Sequence, residues 1–394
     1  MNRQLSILII LMIPVLLFGQ EQEYKSKERE RYDNNFKYKP FKPLSKKEIL
    51  NFKNAYFNIE DIADYTPYSD QLYFTPYQDS VYKIMFNPAN RDSRTIPKLE
   101  YLGKIEKSHI LKYEKSGEIE AFVYVSGKYE NRFFGESGIW VAYSINKGES
   151  WEYLYTGIVQ KQPLYVKWYS KLPLINSKGE LQIETCLLRQ LTPFTHPGPV
   201  PTYEIVKDGL LLTLDLKTLM KDTDGDGLSD IVETKFYTKL NNKDTDGDGI
   251  YDNLDLNPRL HVQRTDKTVI FESEVNNDID RFDSTGLISS LKTLQVNYAT
   301  DTTETILIVT DNADIQSIQP KSTRVIILSE KEYEKSKGKF QNELNEMYIS
   351  PLFKVDNEID TYIFTSSFNT SGMEYLVKKT KDKWKIMVIL FWIS

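Results

Sequence analysis

Beyond an apolar run from Leu5 to Phe18, short apolar and polar stretches alternate along the chain, and the period of that alternation shifts midway. From about Ala55 to Leu216 the period is close to two. Glu120–Ser126, Gly138–Ser144, Leu164–Trp168, Leu181–Leu188 and Leu210–Leu216 read as strands separated by turn signals. Thr192–Pro201 carries four prolines and reads as a loop. From Thr265 onward the pattern is mixed. Thr268–Glu272, Thr305–Thr310, Arg324–Leu328 and Thr361–Thr365 are β-branched and apolar, which predicts strands, while Leu287–Leu294 and Glu330–Met347 carry helical spacing. Ser329 and Glu332 form a capping box at the start of the second helix, and Gly338 weakens its middle. The chain ends in a predicted hairpin, Met373–Lys379 with Trp384–Ile393, whose last strand is apolar on both faces and is expected to be buried.

Between these two regions the pattern gives way to acid. Asp222-Thr223-Asp224-Gly225-Asp226-Gly227-Leu228-Ser229-Asp230 returns nearly unchanged as Asp244-Thr245-Asp246-Gly247-Asp248-Gly249-Ile250-Tyr251-Asp252. A carboxylate at every second position brings successive oxygens to one centre, and the glycine at the sixth position permits the sharp turn that this needs. The seventh residue, Leu228 or Ile250, would offer its backbone carbonyl, the ninth Asp230 or Asp252, and the twelfth Glu233 or Asp255. The predicted ligand sets are therefore Asp222, Asp224, Asp226, Leu228, Asp230 and Glu233, and Asp244, Asp246, Asp248, Ile250, Asp252 and Asp255. Five side-chain carboxylates around one centre repel each other until a cation joins them. The segment has few helices to swing. Only Leu228–Phe236 can make a short one, with Ile231, Val232 and Phe236 inward, and Asn257-Pro258 stops any helix leaving the second loop. A structural clip is expected and not a sensor, whose flanking helices must open.

The run Asp244 to Pro258 resembles the thrombospondin type-3 calcium repeat, and the resemblance extends over Asp222–Pro258. It implies two calcium ions, one per loop, stiffening a connector. The cysteines of animal versions are absent, so the resemblance leaves calcium alone to hold the segment.

Charge and composition narrow the class. The net charge is −6, and Asp215 to Asp255 holds eleven acids against five lysines, so the rest of the chain is balanced. A nucleic-acid binder would need a basic stripe, which argues against nucleic acid as a partner. The Leu5–Phe18 run follows Arg3 and falls short of the roughly 20 residues that span a bilayer. It reads as a secretory signal peptide ending near Gly19, with an uncleaved anchor as the alternative. No transmembrane segment is expected after cleavage, so the chain should be exported: extracellular, periplasmic or at the cell surface. A single cysteine, Cys186, allows no internal disulfide and lies in a predicted strand, which makes it a buried thiol. The 26 Tyr and 19 Phe suit both β-rich extracellular domains and carbohydrate-binding surfaces.

A smaller motif, Ser144-Ile145-Asn146-Lys147-Gly148-Glu149-Ser150-Trp151, resembles the Asp-box of sialidases and related β-propellers, with Asn in place of Asp. Its chemistry is that of a hairpin corner: Ser and Asn bond the turn, Gly148 takes a positive φ and Trp151 packs onto the sheet. Arg94-Thr95-Ile96-Pro97 is distantly similar to the Arg-Ile-Pro element of sialidases, but no set of substrate arginines or nucleophile with its base stands out. The three histidines, His109, His196 and His261, are widely spaced and form no metal-protease signature.

The expected architecture is multidomain. A signal peptide (1–19) and a charged flexible leader (20–54) precede a β-rich domain (55–216), for which a sialidase-propeller-like fragment is one option. A two-loop calcium connector (217–260) and a mixed α/β domain (265–394) follow. The expected function is a secreted calcium-binding protein, non-catalytic, whose outer domains recognise a glycan or a protein. The alternative is an extracellular carbohydrate hydrolase with its site in the Asp-box domain. A hydrolase would show convergent carboxylates or arginines there. A binding module would show an aromatic surface among Tyr65, Tyr68, Tyr73, Tyr77 and Trp168.

Overall fold

The computed structural model describes residues 25–35, 41–53, 56–66, 110–125, 138–158, 163–167, 170–192, 202–276, 305–321, 323–336, 344–368, 371–381 and 383–393. The predicted signal peptide, the helix Leu287–Leu294, the Arg94–Pro97 element, most of the Pro-rich loop, His109, His196, Tyr68, Tyr73, Tyr77 and Trp168 lie outside the described residues. The chain is β-rich, with 38% strand against 17% helix, in several sheets.

Two four-stranded antiparallel sheets make up the first part. In one, β1 (Asn58–Asp61), β8 (Tyr203–Leu214), β7 (Leu181–Gln190) and β6 (Leu164–Val166) lie in that spatial order. In the other, β2 (Ile110–Ser116), β3 (Ile119–Val125), β4 (Ile139–Ser144) and β5 (Glu152–Tyr155) form a meander. The inner strands are buried on both faces: Ala121, Phe122, Val123 and Tyr124 succeed one another without an exposed residue, as do Trp140, Val141 and Ala142. Continuous apolar runs of this kind are what a strand covered on both sides requires. The β4–β5 hairpin turns as its sequence predicts. The Ser144 hydroxyl accepts from Gly148 N–H at 2.9 Å, Asn146 Oδ1 accepts from Ser150 N–H at 2.9 Å, and Trp151 Nε1 donates to the Gly148 carbonyl at 3.1 Å. Gly148 has φ +83° and Trp151 packs against Phe122, with ring centroids 5.1 Å apart.

The last part is built on a seven-stranded mixed sheet. Its order is β10 (Val325–Leu328), β9 (Ile306–Val309), β11 (Asn345–Ile349), β13 (Thr361–Phe368), β14 (Ser371–Thr380) and β15 (Lys383–Ile393), with β12 (Phe353–Lys354) beside β13. β9 runs parallel to both β10 and β11, and all other pairs are antiparallel.

Three expectations are corrected here. Thr268–Glu272 is not a strand but the start of a helix, Thr268–Val275. A short apolar run does not by itself separate the two, and the buried set Thr268, Phe271, Glu272 and Val275 follows helical spacing. The Thr265 hydroxyl also accepts from the amides of Lys267 and Thr268, starting the first turn. The long helix expected at Glu330–Met347 is described as helix over Glu330–Ser336, and its expected C-terminal end is not helical, because Asn345–Ile349 joins the sheet. The last strand, β15, is not buried throughout: among the described strands it lies at the end of the sheet with β14 as its one neighbour, and Ile389 and Leu390 are exposed.

The segment read as a flexible leader holds two docked helices. Lys27–Asn35 packs Tyr32 against Phe353 and pairs Arg29 with Glu374 at 2.6 Å. Lys46–Leu50 is capped by Ser45, whose hydroxyl accepts from Glu48 N–H while Glu48 accepts from Ser45 N–H, and it buries Ile49. Ser45-x-x-Glu48 is a readable capping box; the surrounding charge obscured it.

The acidic segment lies between these bodies. One apolar core joins Phe122, Trp140 and Leu212 of the first part to Leu219, Leu228, Ile231, Val232 and Phe236 of the acidic segment. The same core reaches Leu307, Ile326, Leu328 and Leu344 of the last part. No described helix is long and apolar enough to cross a membrane.

Candidate metal centre

Each acidic loop is folded by its own carboxylates. In the first, Asp222 accepts from Gly225 N–H at 2.7 Å and Gly227 N–H at 3.0 Å, Asp224 from Asp226 N–H at 3.2 Å, and Asp226 from Leu228 N–H at 2.7 Å. The second repeats this bond for bond. Asp244 accepts from Gly247 at 2.7 Å and Gly249 at 2.8 Å, Asp246 from Asp248 at 3.1 Å, and Asp248 from Ile250 at 2.8 Å. Both oxygens of Asp222 and of Asp244, and one oxygen of Asp224, Asp226, Asp246 and Asp248, accept from amides of their own loop. The set Asp222, Asp224, Asp226, like the set Asp244, Asp246, Asp248, brings one carboxylate oxygen from each residue within 4.8 Å of the others. A positive φ at Gly227 (+100°) lets the chain bend through this path, and a Cβ there would sit 3.1 Å from the Asn253 amide nitrogen.

The remaining predicted ligands divide into two roles. Asp230 and Asp252 close their loops, each donating its N–H to the carbonyl of the residue before the loop, Lys221 or Lys243, at 2.7 Å. The Asp230 carboxylate is occupied by Thr223 N–H and Oγ1, both at 2.8 Å, and by Lys221 Nζ at 2.6 Å. Asp252 accepts from Thr245 N–H at 2.8 Å and Oγ1 at 2.7 Å. Glu233 and Asp255, at the twelfth positions, differ. Glu233 is fully buried and neither of its oxygens has a hydrogen-bond partner; Asp255 is 7% exposed and one of its oxygens has none. Glu233 stands on the short helix Asp230–Phe236, which buries Ile231, Val232 and Phe236, so its carboxylate is carried inward by the helix that anchors the segment. The side chain of Leu228 is buried and that of Ile250 exposed.

Electrostatics follow the geometry. Burial, then the charges of Asp224, Asp226, Asp230 and Asp252, pushes Glu233 up to about 8. Burial likewise raises Asp252 to about 6, against its Thr245 bonds and with help from Asp226 and Asp244. Asp255 is also raised to about 6 by burial, then by Asp248 and Asp246, while Arg324 pulls the other way. Asp226 and Asp246 are raised by burial. Burial also works upward on Asp230, but its bonds to Lys221 and Thr223 outweigh it and the group is lowered. A buried carboxylate with no donor and several anionic neighbours is unfavourable unless a proton or a cation joins it. An all-oxygen set of this charge fits a hard divalent cation such as calcium, which takes 6–8 oxygens at about 2.3–2.6 Å.

Three residues tie the loops into the molecule, and no pattern in their surroundings signals them. Lys243 Nζ donates to the Gly225 carbonyl at 3.0 Å, linking loop two to loop one. Asn253 of loop two lays its side-chain amide against Gly227 of loop one. Arg324, only 4% exposed, donates to the Asn253 carbonyl at 2.8 Å and lies over the Phe236 ring at 4.8 Å.

A second buried polar cluster lies in the first sheet. Lys167 pairs with Glu184 at 3.3 Å and with Asp208, and its ammonium reaches Tyr65 Oη at 2.5 Å. Tyr65, raised to about 12 chiefly by burial, donates to Asp208 at 3.0 Å, and Ser170 donates to Glu184. Burial pushes the nearby Cys186 thiol up, which leaves it a poor nucleophile. Charges and donors satisfy each other here, as in a structural network. Protein-family models, curated proteins and solved structures yield no match to this chain.

Proposed function

We propose that this chain is an exported calcium-binding protein whose two aspartate loops hold structural calcium ions and thereby stiffen a connector between its outer parts. The observation that carries this reading is Glu233: a carboxylate fully enclosed, without a donor, and under the charges of Asp224 and Asp226, whose oxygens converge with that of Asp222. The duplication of the whole bonding pattern in loop two supports a second ion. Export is supported by the Leu5–Phe18 run. Extracellular modules bind calcium with dissociation constants of about 10⁻⁴–10⁻³ M, which suits a permanent clip in calcium-rich surroundings.

The outer parts are proposed to recognise a glycan or a protein and not to catalyse. In the β-rich part, Glu114, Glu120, Glu184 and Asp208 are each bonded to an amide, a lysine, a hydroxyl or a tyrosine, so these carboxylates are held in place by the fold. Calorimetry and limited proteolysis of the full chain test the metal reading. Calcium should bind as two ions and protect Asp215–Arg259, whereas equal cleavage with and without calcium rejects it. A glycan array and a glycosidase screen in calcium separate recognition from hydrolysis.

A further inference from the structure

The two loops differ at one point that their sequences do not reveal. The ninth aspartate of loop one, Asp230, is neutralised by Lys221 at 2.6 Å, immediately before its loop. The equivalent lysine of loop two is Lys243, and it makes no such pair. It turns instead to the Gly225 carbonyl of loop one, at 3.0 Å, and over the Tyr251 ring. The ninth aspartate of loop two, Asp252, is left with two uncharged donors, both from Thr245, although it is only 1% exposed. Its next neighbour, Asn253, lays its side-chain amide against Gly227, 3.1 Å from where a Cβ there would sit, so this stretch of loop two is seated on the mouth of loop one. Asp252 and Glu233 are then electrostatic neighbours at the first centre, with Asp226 between the two loops.

We propose that the first calcium ion is held by both loops: Asp252, from the second, completes a shell otherwise made by Asp222, Asp224, Asp226 and Glu233 of the first. This rests on the calcium reading above and adds to it that the first centre is assembled only when the loops are docked. The independent sign of a ligand is again Glu233, whose two enclosed oxygens have no donor. The second centre is local, made by Asp244, Asp246, Asp248 and Asp255. The arrangement removes an otherwise uncompensated buried charge at Asp252, which would be costly alone.

Calorimetric titration with calcium alone tests this in four forms of the full chain: wild type, Asp246→Ala, Asp246→Ala with Asp252→Asn, and Asp246→Ala with Thr245→Val. Asp246→Ala disables the local centre and should leave one ion bound. Adding Asp252→Asn should then weaken that ion by about 10-fold or more, the scale reached even by outer-shell changes. Thr245→Val, which removes one donor to Asp252 and the acceptor of Lys239 N–H but keeps the Asp252 carboxylate, should weaken it far less. Equal affinity with and without Asp252→Asn overturns the proposal while leaving the calcium reading intact. Absence of calcium binding in wild type rejects both. Loss of both ions in Asp246→Ala alone, with its circular dichroism unchanged, overturns the assignment of Asp246 to a separate, local second centre and with it this division of the ligands.

Discussion

Glu233 concentrates the chemistry of the segment in one side chain. Its folded value of about 8 stands above the ordinary carboxylate value of 4.5, so in the metal-free protein the folded state binds the extra proton. Stability from this group is fully present below the unfolded value and is lost as pH rises through the folded one. Asp252 and Asp255, raised to about 6, add to the same slope. Thermal melts in chelator should therefore fall as pH rises from about 4.5 to about 8, and saturating calcium should flatten or reverse the trend. Glu233→Gln should flatten the chelator series and reduce calcium affinity together; a variant whose melts still fall with pH as steeply as wild type would contradict the assignment. At this scale the sequence was legible where chemistry is local. The spacing of Asp222, Asp224 and Asp226 foretells three converging oxygens, because each turn is closed by the residue two or three places on. It does not foretell that Lys221 would stay at home and Lys243 would cross, since that depends on which surface each loop meets.

Elements were legible when their pattern was long or closed by a short turn, and not when tertiary neighbours decided. The Ser144–Trp151 hairpin is the first kind: Ser144, Asn146 and Gly148 fold it from within eight residues. Asn146→Ala removes the acceptor for Ser150 N–H and its contact with the Ser144 hydroxyl. A loss of about 0.5–1.5 kcal/mol per bond is expected in urea titrations with an unchanged slope. β15 is the second kind. Its apolar residues imply a covered strand, yet it is the last of the described strands in its sheet, and Leu390 is 52% exposed while Leu376, on the strand beside it, is 3% exposed. Leu376→Ala should cost about 2–5 kcal/mol, and Leu390→Ala should stay within about 0.5 kcal/mol. Equal costs at the two positions would show that something covers this edge in solution. Thr268–Val275 teaches the same lesson in reverse: its β-branched residues suit a strand, but Phe271 and Val275 pack into the core of the last sheet and are buried with Thr268 along one helical face.

At the scale of the whole molecule, the acidic segment acts as a wedge whose two ends are fastened differently. Its first loop enters the apolar core through Leu228, Ile231, Val232 and Phe236, a core that also takes in Trp140 and Leu212 on one side and Ile326 and Leu328 on the other. Its second loop is fastened by polar bonds: Arg324 to the Asn253 carbonyl, Val325 N–H to the Leu256 carbonyl at 2.7 Å, Asn257 to the Ile318 carbonyl at 3.1 Å. Phe236 is where the two fastenings meet, fully buried in the core with the Arg324 guanidinium stacked on its ring. If the segment is what joins the outer parts, the calcium-loaded protein should melt in one cooperative transition. Removing either ion or core contact should then let the parts melt separately. Phe236→Ala should cost about 3–5 kcal/mol and split the scanning-calorimetry trace in calcium. Arg324→Gln, which keeps the ring and weakens the polar clamp, should split it only in chelator. A single transition retained by both variants in chelator would mean that the outer parts hold each other without the wedge, and that the ions serve the loops alone.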